Sequence, residues 1–332
     1  APVPLSQYRA YIEQFRTTVI NDATPGRVRE AFGHLVLSDR VLDQLGPAVR
    51  AGRSLFVYGP PGNGKTVISQ AVGRLLDGHI AVPHALEVEG SIIRFFDPVN
   101  HRPVPDREEP REGRLARGAT FDARWIRCER PTITVGGELT LESLDLSYNP
   151  SAGFYRAPVQ AIANGGVLVI DDFGRQRSSP RDLLNRWIVP LETGHDFLTL
   201  QTGLKFDIPF ATLVIFATNV KPAELVDEAF LRRIQYKVFA RNPTRAEFIQ
   251  IFENFCRTAG VSFEQDVVEG VLNDYFHPRR IPLRGCQPRD LIQQALAMAE
   301  YLGRERRLSV DLLRAACESY FVSDVEEAAE YA

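Results

Sequence analysis

The sequence predicts an α/β fold, a parallel sheet covered on both faces, followed by a smaller α-helical domain. Three observations carry this. A β-rich run, Ser54–Tyr58, leads directly into Gly59-Pro-Pro-Gly-Asn-Gly-Lys-Thr66 and then into the helix-like stretch Val67–Leu76, which is the strand, glycine loop and helix order of a phosphate-binding unit. Two strand-like runs, Val167–Ile170, wholly apolar, and Thr212–Ala217, apolar after its first residue, are separated by helical patterning, and strands apolar on both sides belong in a buried parallel sheet. After Asn242-Pro243 the spacing is helical.

Taken in order, Leu5–Val19 carries Tyr8, Tyr11, Ile12 and Phe15 at helical spacing, and residues 1–30 read as an N-terminal helical segment or linker. A second helix spans Ser38–Val49 and stops near Gly52. The α/β core is expected over 31–242. Lys65 and Asp171 lie 106 residues apart, whereas two strands, two helices and short loops need only about 50. The surplus is assigned to an insertion at about 95–155, where 101–110 is rich in Pro and charge and where Trp125–Glu129 and Thr132–Gly136 have strand character. Pro180–Leu191 is helix-like. His195–Pro209 alternates on either side of Thr202-Gly203, a hairpin signal. Thr244-x-x-Glu247 is a capping box opening Phe248–Ala259, and further helices fit Glu264–Tyr275, Pro288–Leu302 and Val310–Tyr320. These make a helical domain over 243–323, with an acidic tail at 324–332.

Composition excludes several classes. The 332 residues are 44% hydrophobic and 24% charged, with net charge −3, ordinary for a globular protein and wrong for one that coats nucleic acid by bulk charge. No apolar run approaches the ~18–20 residues of a membrane span, and no signal peptide is read at the start. Cys128, Cys256, Cys286 and Cys317 are scattered, without the spacing of a zinc site or a disulfide framework. A cytoplasmic location is expected. Between residues 97 and 130 eight arginines stand against seven acids, a mixed solvated face rather than a phosphate-tracking groove. Lys occurs only at positions 65, 205, 221 and 237, against 35 Arg, so each retained Lys asks for a reason.

The chemistry concentrates at two places. Gly59-x-x-x-x-Gly64-Lys65-Thr66 lets backbone N–H groups converge on phosphates, with the Lys65 ammonium reaching the β/γ-phosphates and the Thr66 hydroxyl holding Mg²⁺. A compact ammonium suits that contact where a planar guanidinium does not. Asp171-Asp172 ends an apolar strand, where open α/β sheets place ligands. Asp171 is positioned to orient Mg²⁺ with Thr66, and Asp172 to polarise an attacking water.

These residues resemble an AAA+ ATPase module over about 30–320. Walker A is Gly59–Thr66, Walker B is Val167–Asp172, sensor 1 lies in Phe216-Ala-Thr-Asn219, an arginine finger in Ala229-Phe-Leu-Arg-Arg-Ile234 and sensor 2 in Gln287-Pro-Arg-Asp-Leu291. The resemblance implies that ATP or ADP, with Mg²⁺, is held by Gly59, Pro60, Pro61, Gly62, Asn63, Gly64, Lys65, Thr66 and Val67, with Leu35 and Val36 near the adenine. It implies that Asn219 positions the lytic water and that Arg289 contacts the γ-phosphate of the same subunit. Arg233, in preference to Arg232, would reach the neighbouring subunit's site. One departure is Asp172, where most such modules carry Glu, which implies a closer water or slower turnover.

The hairpin at 195–209 is similar to the pre-sensor-1 hairpin of MoxR-type chaperones, NtrC-type activators and ClpX-like unfoldases. That similarity implies a homo-hexameric ring acting on a protein partner of the MoxR-like chaperone kind. In such relatives pore-facing loops match the segment from Gly136 to Tyr155, where Phe154 and Tyr155 are either grips or core. Two alternatives remain: a nucleic-acid loader or translocase, and a slow nucleotide-gated assembly switch.

Overall fold

The computed structural model describes residues 1–19, 21–105, 122–225 and 228–321. The chain divides into two compact units. The first comprises 1–32, 39–59 and 65–239, and the second 33–38, 60–64 and residues from 240 onward.

The centre of the first unit is a five-stranded sheet of β1 (Leu55–Tyr58), β2 (Thr132–Val135), β3 (Val167–Ile170), β4 (Leu213–Thr218) and β5 (Tyr236–Phe239). The order is β5-β1-β4-β3-β2 and every pairing is parallel. β3 and β4 are buried at every position, which is why both read as continuous apolar runs. β2 corrects the expected insertion. Thr132–Val135 is an edge strand of this sheet, in register with Val167–Ile170, and its Thr-Ile-Thr-Val alternation reflects an edge strand with one buried side. The additional structure therefore lies on both sides of β2, with strands already at His79–Pro83, Ala85–Val88 and Ser91–Arg94. Gly166 opens β3 as glycine for a steric reason, since a Cβ there would sit 2.0 Å from the Pro131 carbonyl oxygen.

Phe56, Phe173, Trp187 and Phe216 pack together under the sheet, with ring centroids 5.1–6.3 Å apart. Phe230 and Ile234 join the same core.

The N-terminal segment is part of the first unit's core. Helix Leu5–Thr18 buries Tyr8, Ile12 and Phe15 against Trp125, the strands of the inserted region and one face of the hairpin His195–Pro209, through Leu198, Phe206 and Ile208. Val3-Pro4 pairs with Leu86-Glu87. Arg9 bonds the Asp207 carbonyl and carboxylate. The hairpin is antiparallel, His195↔Pro209 to Thr199↔Lys205, turning at Gly203 with φ +85°. Its Phe197 is 55% exposed. Tyr155 is core rather than grip: it is buried, its ring packs tilted against Tyr148 at 4.8 Å and its hydroxyl accepts a hydrogen bond from the Gln201 amide at 3.0 Å. Phe154 is half-buried.

At the base of the hairpin Asp196 is 1% exposed and accepts from Arg186 at 2.5 and 3.2 Å and from Gln160 at 2.9 Å. Arg186 also reaches the Leu144 carbonyl at 3.2 Å, so one guanidinium ties helix Pro180–Thr193 to two other segments. Breaking a buried pair strands the surviving charge. Asp196→Ala is expected to lower stability by about 3 kcal/mol in urea unfolding, with the Arg186→Met, Asp196→Leu double variant costing less than the single.

In the second unit helices Arg245–Ala259, Gln265–Val271, Gln287–Tyr301 and Val310–Tyr320 enclose a core including Phe248, Phe252, Leu291 and Leu313. The second helix continues as a π-helical turn, Leu272–Phe276. The capping box forms: the Glu247 amide donates to Thr244 Oγ1 at 3.3 Å and the Thr244 amide to Glu247 Oε2 at 2.7 Å. Arg241 holds the Glu247 carboxyl below its usual range. The stabilisation it brings is present above the ordinary Glu value and fades as pH falls through the lowered one. Thr244→Ala is expected to cost about 1 kcal/mol, read by thermal unfolding at neutral pH.

Candidate nucleotide site

The sheet order makes β1, β4 and β3 consecutive neighbours, so three strand ends deliver three sets of polar residues to one edge. After β1 the chain reaches Gly59, whose amide bonds the Thr218 carbonyl at 3.3 Å. Lys65 opens helix Lys65–Ala71. Its side chain is buried, at 7% exposure, and its Nζ donates to the Gly59 carbonyl at 3.0 Å. Burial lowers the Lys65 pKa, against the opposing pull of Asp172 and Asp171.

Thr66 Oγ1 donates to Asp171 Oδ2 at 2.7 Å, which brings the two expected metal ligands side by side. Asp171 Oδ1 accepts from the Asp172 amide at 3.0 Å. Asp172 has φ +47°, an uncommon conformation for a residue with a Cβ and one found where surrounding structure over-determines it. Asn219, beyond the end of β4, donates from Nδ2 to Asp172 Oδ1 at 3.1 Å.

Two residues the sequence reading passed over hold this turn. Gln176 Nε2 donates to the carbonyls of Asp171 and Asp172, at 3.0 and 3.3 Å. Thr218 Oγ1 donates to the Phe173 carbonyl at 2.7 Å. Nothing in a single sequence marks Gln176. Thr218 stood inside the sensor motif, but its backbone-bracing role is visible only in three dimensions.

The expected arginines are occupied within the chain. Arg233 forms an ion pair with Glu192 of helix Pro180–Thr193, whereas the exposed Arg232 side chain pairs with that of Glu228 at 2.8 Å, four residues back. Val67 is exposed.

Within the second unit, the stretch Pro60–Gly64 has its own partners. Gly62 has φ +79°, and a Cβ there would meet Cys286 Sγ at 2.6 Å, so glycine is required twice over. The Cys286 amide donates to the Gly62 carbonyl at 2.8 Å, the Gly285 amide to Asn63 Oδ1 at 3.1 Å, and Asn63 Nδ2 to Asn242 Oδ1 at 2.7 Å. Arg289 lies in the first turn of helix Gln287–Tyr301 with its Nε on Asp290 at 2.9 Å. Leu35 and Val36, in the stretch 33–38, are half-buried.

Among the described residues, no group of three or more His, Cys, Asp or Glu could hold a metal ion, and no helix is long and apolar enough to cross a membrane. The four cysteines are free.

A parallel β5-β1-β4-β3-β2 sheet with a phosphate loop after β1 and paired acids after β3 is the fold of the AAA+ class of P-loop ATPases, with its C-terminal helical region. Solved structures agree on the fold. NtrX from Brucella abortus in complex with ATP aligns with TM-score 0.50 at 13% identity, covering 86% of this chain and 54% of that one. A point mutant of RuvB from Thermotoga maritima aligns with TM-score 0.50 at 14% identity, covering 85% of this chain and 69% of that one. The chain thus spans about half the length of the NtrX structure. Residues 244–319 match the model of a family described as a domain of unknown function, DUF8689. No curated protein matches the sequence.

Proposed function

We propose that the protein is a cytoplasmic Mg²⁺-dependent ATPase that assembles as a ring, a homo-hexamer, and couples hydrolysis at its subunit interfaces to remodelling of a protein partner. The observation that carries this reading is the assembly of Lys65, Thr66, Asp171, Asp172 and Asn219 by three adjacent strand ends. NtrX, of the same fold, holds ATP in its structure.

The residues present fit Mg²⁺. Thr66 Oγ1 and Asp171 Oδ2 are hard oxygen donors in contact, and Mg²⁺ is ordinarily held by one or two protein oxygens with phosphates and water completing the shell. When bound, the ion neutralises charge on the β- and γ-phosphates. Lys65 supplies a fixed cation to the same phosphates. Asp172 orients the attacking water and accepts its proton, and Asn219 holds the Asp172 carboxylate in position for it.

A protein partner is favoured over nucleic acid because arginines of the inserted region have internal roles. Arg130 bonds the Gly165 carbonyl and Asn21 and lies over the Phe15 ring. Arg124 is held by Asp122 and Gln7. Arg107, Arg111, Arg114 and Arg117 lie outside the described residues. A slow nucleotide-gated switch is the second reading, favoured by an Asp172 carboxylate that already accepts from Asn219 and is one methylene shorter than Glu.

Phosphate release and particle mass, measured together with and without Mg·ATP, test the proposal. Hydrolysis accompanied by ATP-dependent rings supports it. ATP-dependent rings with no hydrolysis select the switch. A chain that stays monomeric at every nucleotide condition overturns the ring.

A further inference from the structure

Lys237 sits on β5 in a chain that otherwise prefers Arg. Its Nζ donates to the Leu231 carbonyl at 2.9 Å and to the Ile234 carbonyl at 2.7 Å, the two carbonyls that bracket Arg232-Arg233. The bracketed turn has two apolar anchors, Phe230 and Ile234, both buried in the core under the central sheet. Its backbone is closed by the Arg232 amide on Glu228 and the Arg233 amide on Phe230, at 3.1 and 2.9 Å.

We infer that Lys237 is the positioning residue of the arginine turn, an ammonium clamp that fixes the backbone on either side of Arg232-Arg233 so that an arginine is presented in one direction. The chemistry selects Lys. An ammonium has three donors about a point and can hold two converging carbonyls from a flexible stem, whereas a planar guanidinium demands a flatter arrangement. Partial burial disfavours the free charged form of Lys237, so the carbonyl contacts also serve as its solvation.

The inference rests on the ATPase reading for its functional consequence but not for its structural content, and the two are separable. K237M keeps the aliphatic stem and removes the donors. The amides of Arg232 and Arg233 are expected to exchange about tenfold faster in K237M, with protection elsewhere unchanged. Unaltered exchange there overturns the clamp, whether or not the protein hydrolyses ATP. In the active protein kcat is expected to fall roughly 10- to 100-fold with KM for ATP little changed, because the geometry of presentation is lost while the variant's own nucleotide site is intact.

K237M subunits mixed with Asp172→Asn subunits are expected to regain activity at interfaces that combine an intact turn with an intact site. Loss of activity without regain, in a variant that still binds a fluorescent ATP analogue, overturns the positioning role. Should K237M not fold, K237Q, which shortens the reach of the donors, is read by the same exchange and mixing measurements.

Discussion

Lys65→Ala is expected to reduce phosphate release about 10²–10³-fold or more, the largest single effect at the site. Two losses coincide. The ammonium is buried and bonded to Gly59, so its removal takes away both the fixed cation for the phosphates and a tie across the loop. Lys65→Arg is expected to recover little, because a guanidinium cannot reproduce a point contact in a space built for an ammonium. Phosphate release under saturating Mg·ATP, with binding of a fluorescent analogue followed in parallel, gives both readouts. A Lys65→Ala protein that hydrolyses ATP at the wild-type rate would remove the basis for assigning catalysis to this site.

The second large effect is expected from subunit mixing. Arg233→Ala and Asp172→Asn proteins should each be nearly inactive, and an equal mixture should regain activity at about a quarter of interfaces if subunits exchange at random around a head-to-tail ring. The arginine and the acid then act from different chains. Absence of regain, with exchange verified by labelled subunits, argues that the arginine works in its own chain or not at all. Arg232→Ala is expected to be the milder variant, since its guanidinium rests on Glu228 with 76% of the side chain exposed. Arg233 has a closer engagement, with Glu192, which an arginine acting in trans would have to give up.

Much of this was legible in the sequence because the relevant signals are local. Four apolar residues followed by two acids gave β3 and its carboxylates, and the glycine spacing gave the loop and Lys65. The Thr244 and Glu247 pair gave the cap of helix Arg245–Ala259, although the helical run read from the spacing began only at Phe248. β2 was misassigned because an edge strand alternates and so resembles a surface strand of an insertion. The partner of Asp196 was invisible, since Arg186 lies ten residues away on a different element and nothing in its neighbourhood marks a buried pair. Tyr155 left grip and core equally open until its ring was seen against Tyr148. Lys237 was conspicuous only by its rarity, and two carbonyls that it holds across a turn supplied the reason.

The N-terminal helix has one more consequence, for synthesis. Arg9 meets Asp207 across 198 residues of sequence, and the helix shares its core with the hairpin that ends at Pro209. At about 5–20 residues per second, a ribosome takes roughly 10–40 s to make that distance. Phe95 and Trp125, which pack on Tyr8, are made earlier, but throughout that interval the apolar stripe of Tyr8, Ile12 and Phe15 is on the nascent chain without the hairpin face that completes its cover, a period in which chaperones have access to it.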